Sequence, residues 1–143
     1  MMKFKLGAHG QVQEPSFHDG YLTGIQLKGK TTHVLLQASS GEAYKLTLQD
    51  VREFIANDVL AKNIILDLWI FSGSKLVDDH DFGPLLEPPH PSVSREYHEA
   101  HAARRKRAME EIETGELTLC WMDSSYGATF DAICGSVSLE RSG

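Results

Sequence analysis

The sequence predicts an α+β fold: mainly an antiparallel β-sheet of about seven or eight strands, rolled up or split into a two-sheet sandwich, with one long helix inserted before a C-terminal hairpin. Three features predict it. Alternating apolar positions separated by turn residues run from Tyr21 to Leu48; NIILDLWIF at Asn63 to Phe71 is the most apolar run; and a single Ala-, Glu- and Arg-rich stretch spans Arg95 to Thr114. At 143 residues the chain suits one domain, residues 1–143, large enough for its own core.

Lys3 to His9 reads as a first short strand with Phe4 and Leu6 on one side, before Pro15 and Ser16 break the pattern. From Tyr21 the alternation is clear. Tyr21, Thr23, Ile25 and Leu27 share one parity, and Lys28, Gly29 and Lys30 make a turn into Thr32 to Ala38, with Val34 and Leu36 inward. After Ser39 to Glu42, Tyr44, Leu46 and Leu48 mark a third strand of the meander. Asp50 to Leu60 fits two descriptions, a short helical turn through Val51, Phe54, Ile55 and Val59 or a bulged strand continuing the sheet.

Asn63 to Phe71 is apolar on both parities, as in a strand sandwiched inside a domain, and its nine residues fall well short of the roughly 20 that cross a bilayer. Ile65, Trp69 and Phe71 share one parity with Asp67. Either that face is open, and the three form an apolar patch around a charge, or the carboxylate is buried with hydrogen-bond partners and they are core. Val77 to Ser94 carries four of the five prolines and reads as a surface loop. The helix then has Ser92 or Ser94 as N-cap, Gly115 as its stop, and a thin apolar stripe of Tyr97, Ala100 or His101, Ala108, Met109 and Ile112. Leu117, Leu119 and Trp121 open the last hairpin, which returns through Phe130 to Leu139 with Gly135 as a bulge or close-approach point.

The net charge of −6 argues against nucleic-acid binding, which needs a basic surface, and suits a basic protein partner. Cys120 and Cys134 lack a CxxC spacing and read as reduced thiols packed as small hydrophobes. The N-terminal MMKFKLGAHGQV has a basic start without the apolar run of a signal peptide, so a cytoplasmic location is expected, with no membrane partner. No nucleophile elbow, GxGxxG or P-loop occurs. The basic run Arg104 to Arg107 lacks interleaved aromatics and is flanked by glutamates; Lys106 with Glu110 and Arg107 with Glu111 stand four residues apart, so it reads as a solvated helix face. His98 and His101, three apart on the helix, could hold a metal with a third ligand from Asp78, Asp79, His80 or Asp81, but HEAH is not the HExxH arrangement.

Three stretches carry a likeness. Phe17-His18-Asp19-Gly20 leading into a strand, NIILDL at Asn63 to Leu68, and SYGA at Ser125 to Ala128 resemble small bacterial immunity-like and uncharacterised β-rich families. The resemblance implies a non-enzymatic domain of polymorphic toxin systems that binds and blocks a cognate toxin; it carries over no catalytic residue. Read on their own, Asp19 and Gly20 complete a turn, as do Tyr126 and Gly127. The leading functional expectation is therefore a protein-binding module, an immunity protein masking a basic toxin domain, that needs no cofactor. Its candidate contacts are Ile65, Asp67, Trp69, Phe71, His18, Asp19 and Tyr126. The alternatives are a small metal-dependent enzyme using His98, His101 and Asp79, and a structural domain that forms a homodimer through Ile65, Trp69 and Phe71.

Overall fold

Ten strands and one helix make up the computed structural model, which describes residues 3–74 and 85–142. Strands β1 (Lys5–Leu6) and β2 (Val12–Glu14) form a small ribbon, with a 3-10 turn at Ala8–Gly10 between them. The meander follows as β3 (Tyr21–Lys28), β4 (Thr31–Gln37) and β5 (Ala43–Gln49), then β6 (Glu53–Asn57) and the apolar strand β7 (Ile64–Phe71). Helix α1 (Arg95–Thr114) precedes β8 (Thr118–Tyr126), β9 (Thr129–Cys134) and β10 (Ser136–Arg141). The predicted α+β class and helix bounds agree with this, and within Asp50 to Leu60 the strand alternative holds over Glu53–Asn57. The ribbon strand β2 was not expected, because Pro15 and the flanking polar residues hide it.

The main sheet runs β10-β5-β4-β3-β7-β8-β9-β6, antiparallel throughout. Its two outermost strands each pair along one edge, β10 with β5 and β6 with β9. Strand β5 continues into β6 and β9 continues into β10, and these two long paths pair with each other across a bend at Asp50 and Gly135. Gly135 N–H donates to the Gln49 carbonyl (2.8 Å) and Arg52 N–H to the Ile133 carbonyl (2.8 Å), which carries the ladder round the corner. The sheet thus bends round into a roll in which every strand is paired along at least one edge. The expected return strand from Phe130 to Leu139 is split at Gly135, where an added Cβ would lie 3.0 Å from the Asp50 Cβ; that is the close approach its sequence position implied.

The inside of the roll holds the main core, including Val34, Leu36, Leu46, Leu48, Ile65, Leu68, Met122 and Phe130. Phe17 caps it, edge-on to Tyr44 at 5.4 Å. A second cluster lies outside the roll, where Ile112, Ala108 and Met109 of α1 pack on Leu119, Ile133, Ile55 and Phe71 of the outer face. Leu85 and Leu86, expected on a surface loop, are buried in this cluster. The helix uses its buried stripe only near its C-terminal end, since Tyr97, placed on the apolar stripe, is 70% exposed. Ser94 is the N-cap through its carbonyl, which accepts from Tyr97 N–H and His98 N–H, and makes no side-chain cap. Gly115 ends the helix in the left-handed region, φ 90°, as a glycine after the last turn permits. Among the described residues the helical ion pair at four-residue spacing is Arg95–Glu99, not the predicted Lys106–Glu110 or Arg107–Glu111.

Of the three register shifts among the described residues of the main sheet, at Leu22/Gly24, Ile64/Ile65 and Ile65/Asp67, the first and last decide which side chains face out. The register shifts between Leu22 and Gly24, so Leu22 and Ile25 both pack on the core although they differ in parity. It shifts again between Ile65 and Asp67, which puts Ile65 and then Leu68 and Ile70 inside. Strict alternation fails at each inserted residue.

Candidate functional site

The bulge at Leu66 builds the site. Without it, Ile65 would share a face with Asp67, Trp69 and Phe71, as the parity of the sequence suggested; with it, Ile65 is fully buried inside the roll, and the expected four-residue patch does not exist. Asp67 and Trp69 face outward and are half-buried, while Phe71 packs beneath the helix cluster.

Strand β8 completes the outward face. In the antiparallel register Asp67 stands opposite Asp123, and Trp69 opposite Trp121. The indoles stack at 5.5 Å between centroids with their planes 5° apart. Trp69 Nε1 donates to Asp123 Oδ2 (3.1 Å), and Gln11, bridged to Trp69 through the backbone, donates from Nε2 to Asp67 Oδ1 (2.8 Å). Asp131 of β9 is opposite Trp121 on its other side. A pair of aromatic plates is therefore framed by three carboxylates. Carboxylates directly opposite each other on neighbouring strands repel, and the two donors relieve that only in part.

His18 lies beside this face. Its Nδ1–H donates to the Leu66 carbonyl (2.7 Å), and Nε2 is 3.7 Å from Asp19 Oδ2. The carbonyl bond and then the Asp19 charge raise its pKa above the ordinary 6.5; desolvation opposes them, and the Asp67 charge adds a still smaller rise. His18, Gln11 and Asp67 line a shallow open depression. Asp19, at φ 62°, turns the chain there, its N–H donating to the Ile65 carbonyl.

The sequence candidates thus divide. Asp67, Trp69 and His18 come together with Asp19 at their margin; Ile65 is core, Phe71 is covered, and exposed Tyr126 sits opposite Ile64, away from the indoles. Trp121, Asp123 and Gln11 were missed. A signal for two of them was present: Asp67-Leu68-Trp69 and Trp121-Met122-Asp123 are mirror images, which antiparallel pairing superposes charge on charge and ring on ring.

The metal alternative gains no support from the helix. His101 donates from Nε2 to the Leu86 carbonyl (2.6 Å) and so serves as a tie between helix and loop. Asp78, Asp79, His80 and Asp81 lie outside the described residues, and among the described residues no three His, Cys, Asp or Glu side chains converge on one point. No helix of the described residues is long and apolar enough to cross a membrane.

The stretches that carried the family likeness meet at one joint. Asn63 is buried; its Oδ1 accepts from Leu60 N–H (2.9 Å) and Ala128 N–H (2.9 Å), and its Nδ2 donates to the Leu60 carbonyl (2.8 Å) and, at 3.4 Å, to that of Leu22. Ile65 N–H donates to the Gly20 carbonyl, and Gly20 N–H to that of Phe17. Gly127 turns at φ 83°, where a Cβ would meet Asn63 Oδ1 at 2.5 Å. FHDG, NIILDL and SYGA therefore fasten β3, β7 and β8 together. The chain matches no protein-family model, no curated protein and no solved structure.

Proposed function

We propose that the protein is a non-enzymatic binding module that captures a basic protein domain on the Trp69–Trp121 face, in the manner of an immunity protein covering the cleft of a toxin. The observation that supports this reading is the Asp67–Asp123 pair, held opposite each other beside two stacked, half-buried indoles. Like charges across strands are unfavourable in the free protein, and a cationic partner removes the penalty when it binds. Indoles supply the large rigid contact area on which binding energy concentrates. A net charge of −6 adds attraction at long range.

The test is calorimetric titration with the C-terminal domain of the protein encoded beside this one in its genome. Capture is expected, with affinity falling as salt rises and dropping at least about a hundredfold for Trp69→Ala, as for a central aromatic contact. Absence of binding, or binding that Trp69→Ala and Asp123→Asn leave unchanged, overturns the reading.

A further inference from the structure

A cleft with an excess of positive groups lies between α1 and the corner of the roll. Arg104 and Arg107 of the helix form one wall, Arg52 of the β5–β6 corner stands on the other, and Leu86, Leu117 and Ile133 line the floor. In a chain with an excess of acidic residues, three guanidinium groups around one apolar cleft are out of keeping with the average surface. Arg104 and Arg107 are exposed and make no ion pair with a described residue, whereas Arg52 is bonded to Asp50 at 3.2 Å. Glu53 and Glu111 also reach the cleft, which brings its lining to three positive and two negative groups.

That balance selects the ligand. Guanidinium groups bind carboxylates through paired N–H donors, a dianion would meet the two glutamates, and the floor of leucine and isoleucine favours a hydrocarbon body. We propose that this cleft binds a small organic monoanion with an apolar chain, a medium-chain carboxylate being the simplest member of the class. The head would sit between Arg52 and the two helix arginines and the chain would lie on Leu86, Leu117 and Ile133, which links helix to sheet where α1 leaves its packing. Neither tryptophan lines this cleft, although Trp121 packs on the same outer-face cluster as Leu117 and Ile133, and neither proposal depends on the other.

The experiment is a titration of the full chain with acetate, butyrate, octanoate and octylamine at fixed ionic strength, followed by amide chemical shifts. Octanoate should bind with shifts centred on residues 107–112, 117 and 133, acetate should bind at least about tenfold more weakly for want of the chain, and octylamine should leave those residues unmoved. Arg104→Gln with Arg107→Gln should weaken octanoate by roughly tenfold, a charge-assisted bond discounted for exposure, while the melting temperature holds. Arg52→Gln, on the opposite wall, should weaken it independently. Equal response to octylamine and octanoate, equal affinity for acetate, no shifts at these residues, or octanoate affinity unchanged in the arginine variants overturns the proposal.

Discussion

Asn63 is the residue on which the joint between β3, β7 and β8 depends, and its replacement by alanine measures how much that joint contributes. The substitution removes two accepted and two donated hydrogen bonds at a site that is 3% exposed. Leu60 is exposed, so its freed N–H reaches water at little cost, but Ala128 is fully buried and its N–H is stranded. One stranded buried donor costs about 1–3 kcal/mol, and the space left by the amide adds to it. A loss of roughly 2–4 kcal/mol follows, or a fall in melting temperature on the order of 10 °C for a chain of this size. Urea denaturation followed by circular dichroism reads it directly. Gly127→Ala should destabilise comparably, because its new methyl group meets the same Oδ1. In the Asn63→Ala background that second loss should shrink, because the Oδ1 contact is gone, but the left-handed alanine still costs about 1–2 kcal/mol and its methyl group still meets the Lys62 carbonyl oxygen at 3.0 Å and the Asn63 Cα at 3.1 Å. Full additivity of the two substitutions, or a loss below about 1 kcal/mol for Asn63→Ala, would refute the idea that this amide holds the three strands.

Three other outcomes follow from the geometry. The stacked indoles at 5.5 Å should support each other, so that Trp69→Leu or Trp121→Leu costs about 0.5–1.5 kcal/mol beyond the change in buried area, read by urea denaturation. His18 should titrate above 6.5 by proton NMR; since its folded pKa is raised, the stabilisation is complete below the unfolded pKa and is lost as pH climbs through the folded one, and Asp19→Asn should bring the midpoint down more than Asp67→Asn. Burial pushes the Cys134 thiol up to about 12 and raises that of Cys120 as well, so neither should react with a thiol reagent at pH 8 until the protein is unfolded.

The fold class could be read from the sequence because its signal is periodic: β4 and β5 keep strict alternation, with Val34, Leu36, Tyr44, Leu46 and Leu48 all buried. The site could be read only in part, because it depends on an interruption of that period. A residue inserted at Leu66 moves Asp67 and Trp69 to the face opposite Ile65, and nothing local in NIILDLWIF marks the insertion, since Leu66 is as apolar as Ile65 and Leu68 yet ends 39% exposed. The choice between a roll and a two-sheet sandwich stays open in the sequence for a different reason. It rests on pairing between Gln49 and Ser136 and between Glu53 and Ile133, contacts made at long sequence separation and independent of side-chain type. The helix pattern failed for a third reason: Tyr97 and Ala100 obey helical spacing but stay exposed, and the helix joins the outer cluster only through Ala108, Met109 and Ile112.

The Asp67–Asp123 pair makes the binding reading testable without a structure of any complex. A residue retained for stability should weaken the fold when replaced; one retained for recognition should do the reverse. Asp123→Asn keeps an oxygen to accept from Trp69 Nε1 and removes one of two facing charges. It should therefore stabilise the protein by about 0.2–1 kcal/mol at low salt, and the gain should shrink toward zero near 1 M salt, where charges are screened beyond about 3 Å. The same substitution should weaken capture of a basic domain and flatten its salt dependence, because the charge that the partner neutralises has gone. Destabilisation by Asp123→Asn would show that the carboxylate is structural, and stabilisation with unchanged capture would place the partner elsewhere. Only a gain in stability together with a loss of affinity fits two aspartates held face to face for a cation that arrives from outside.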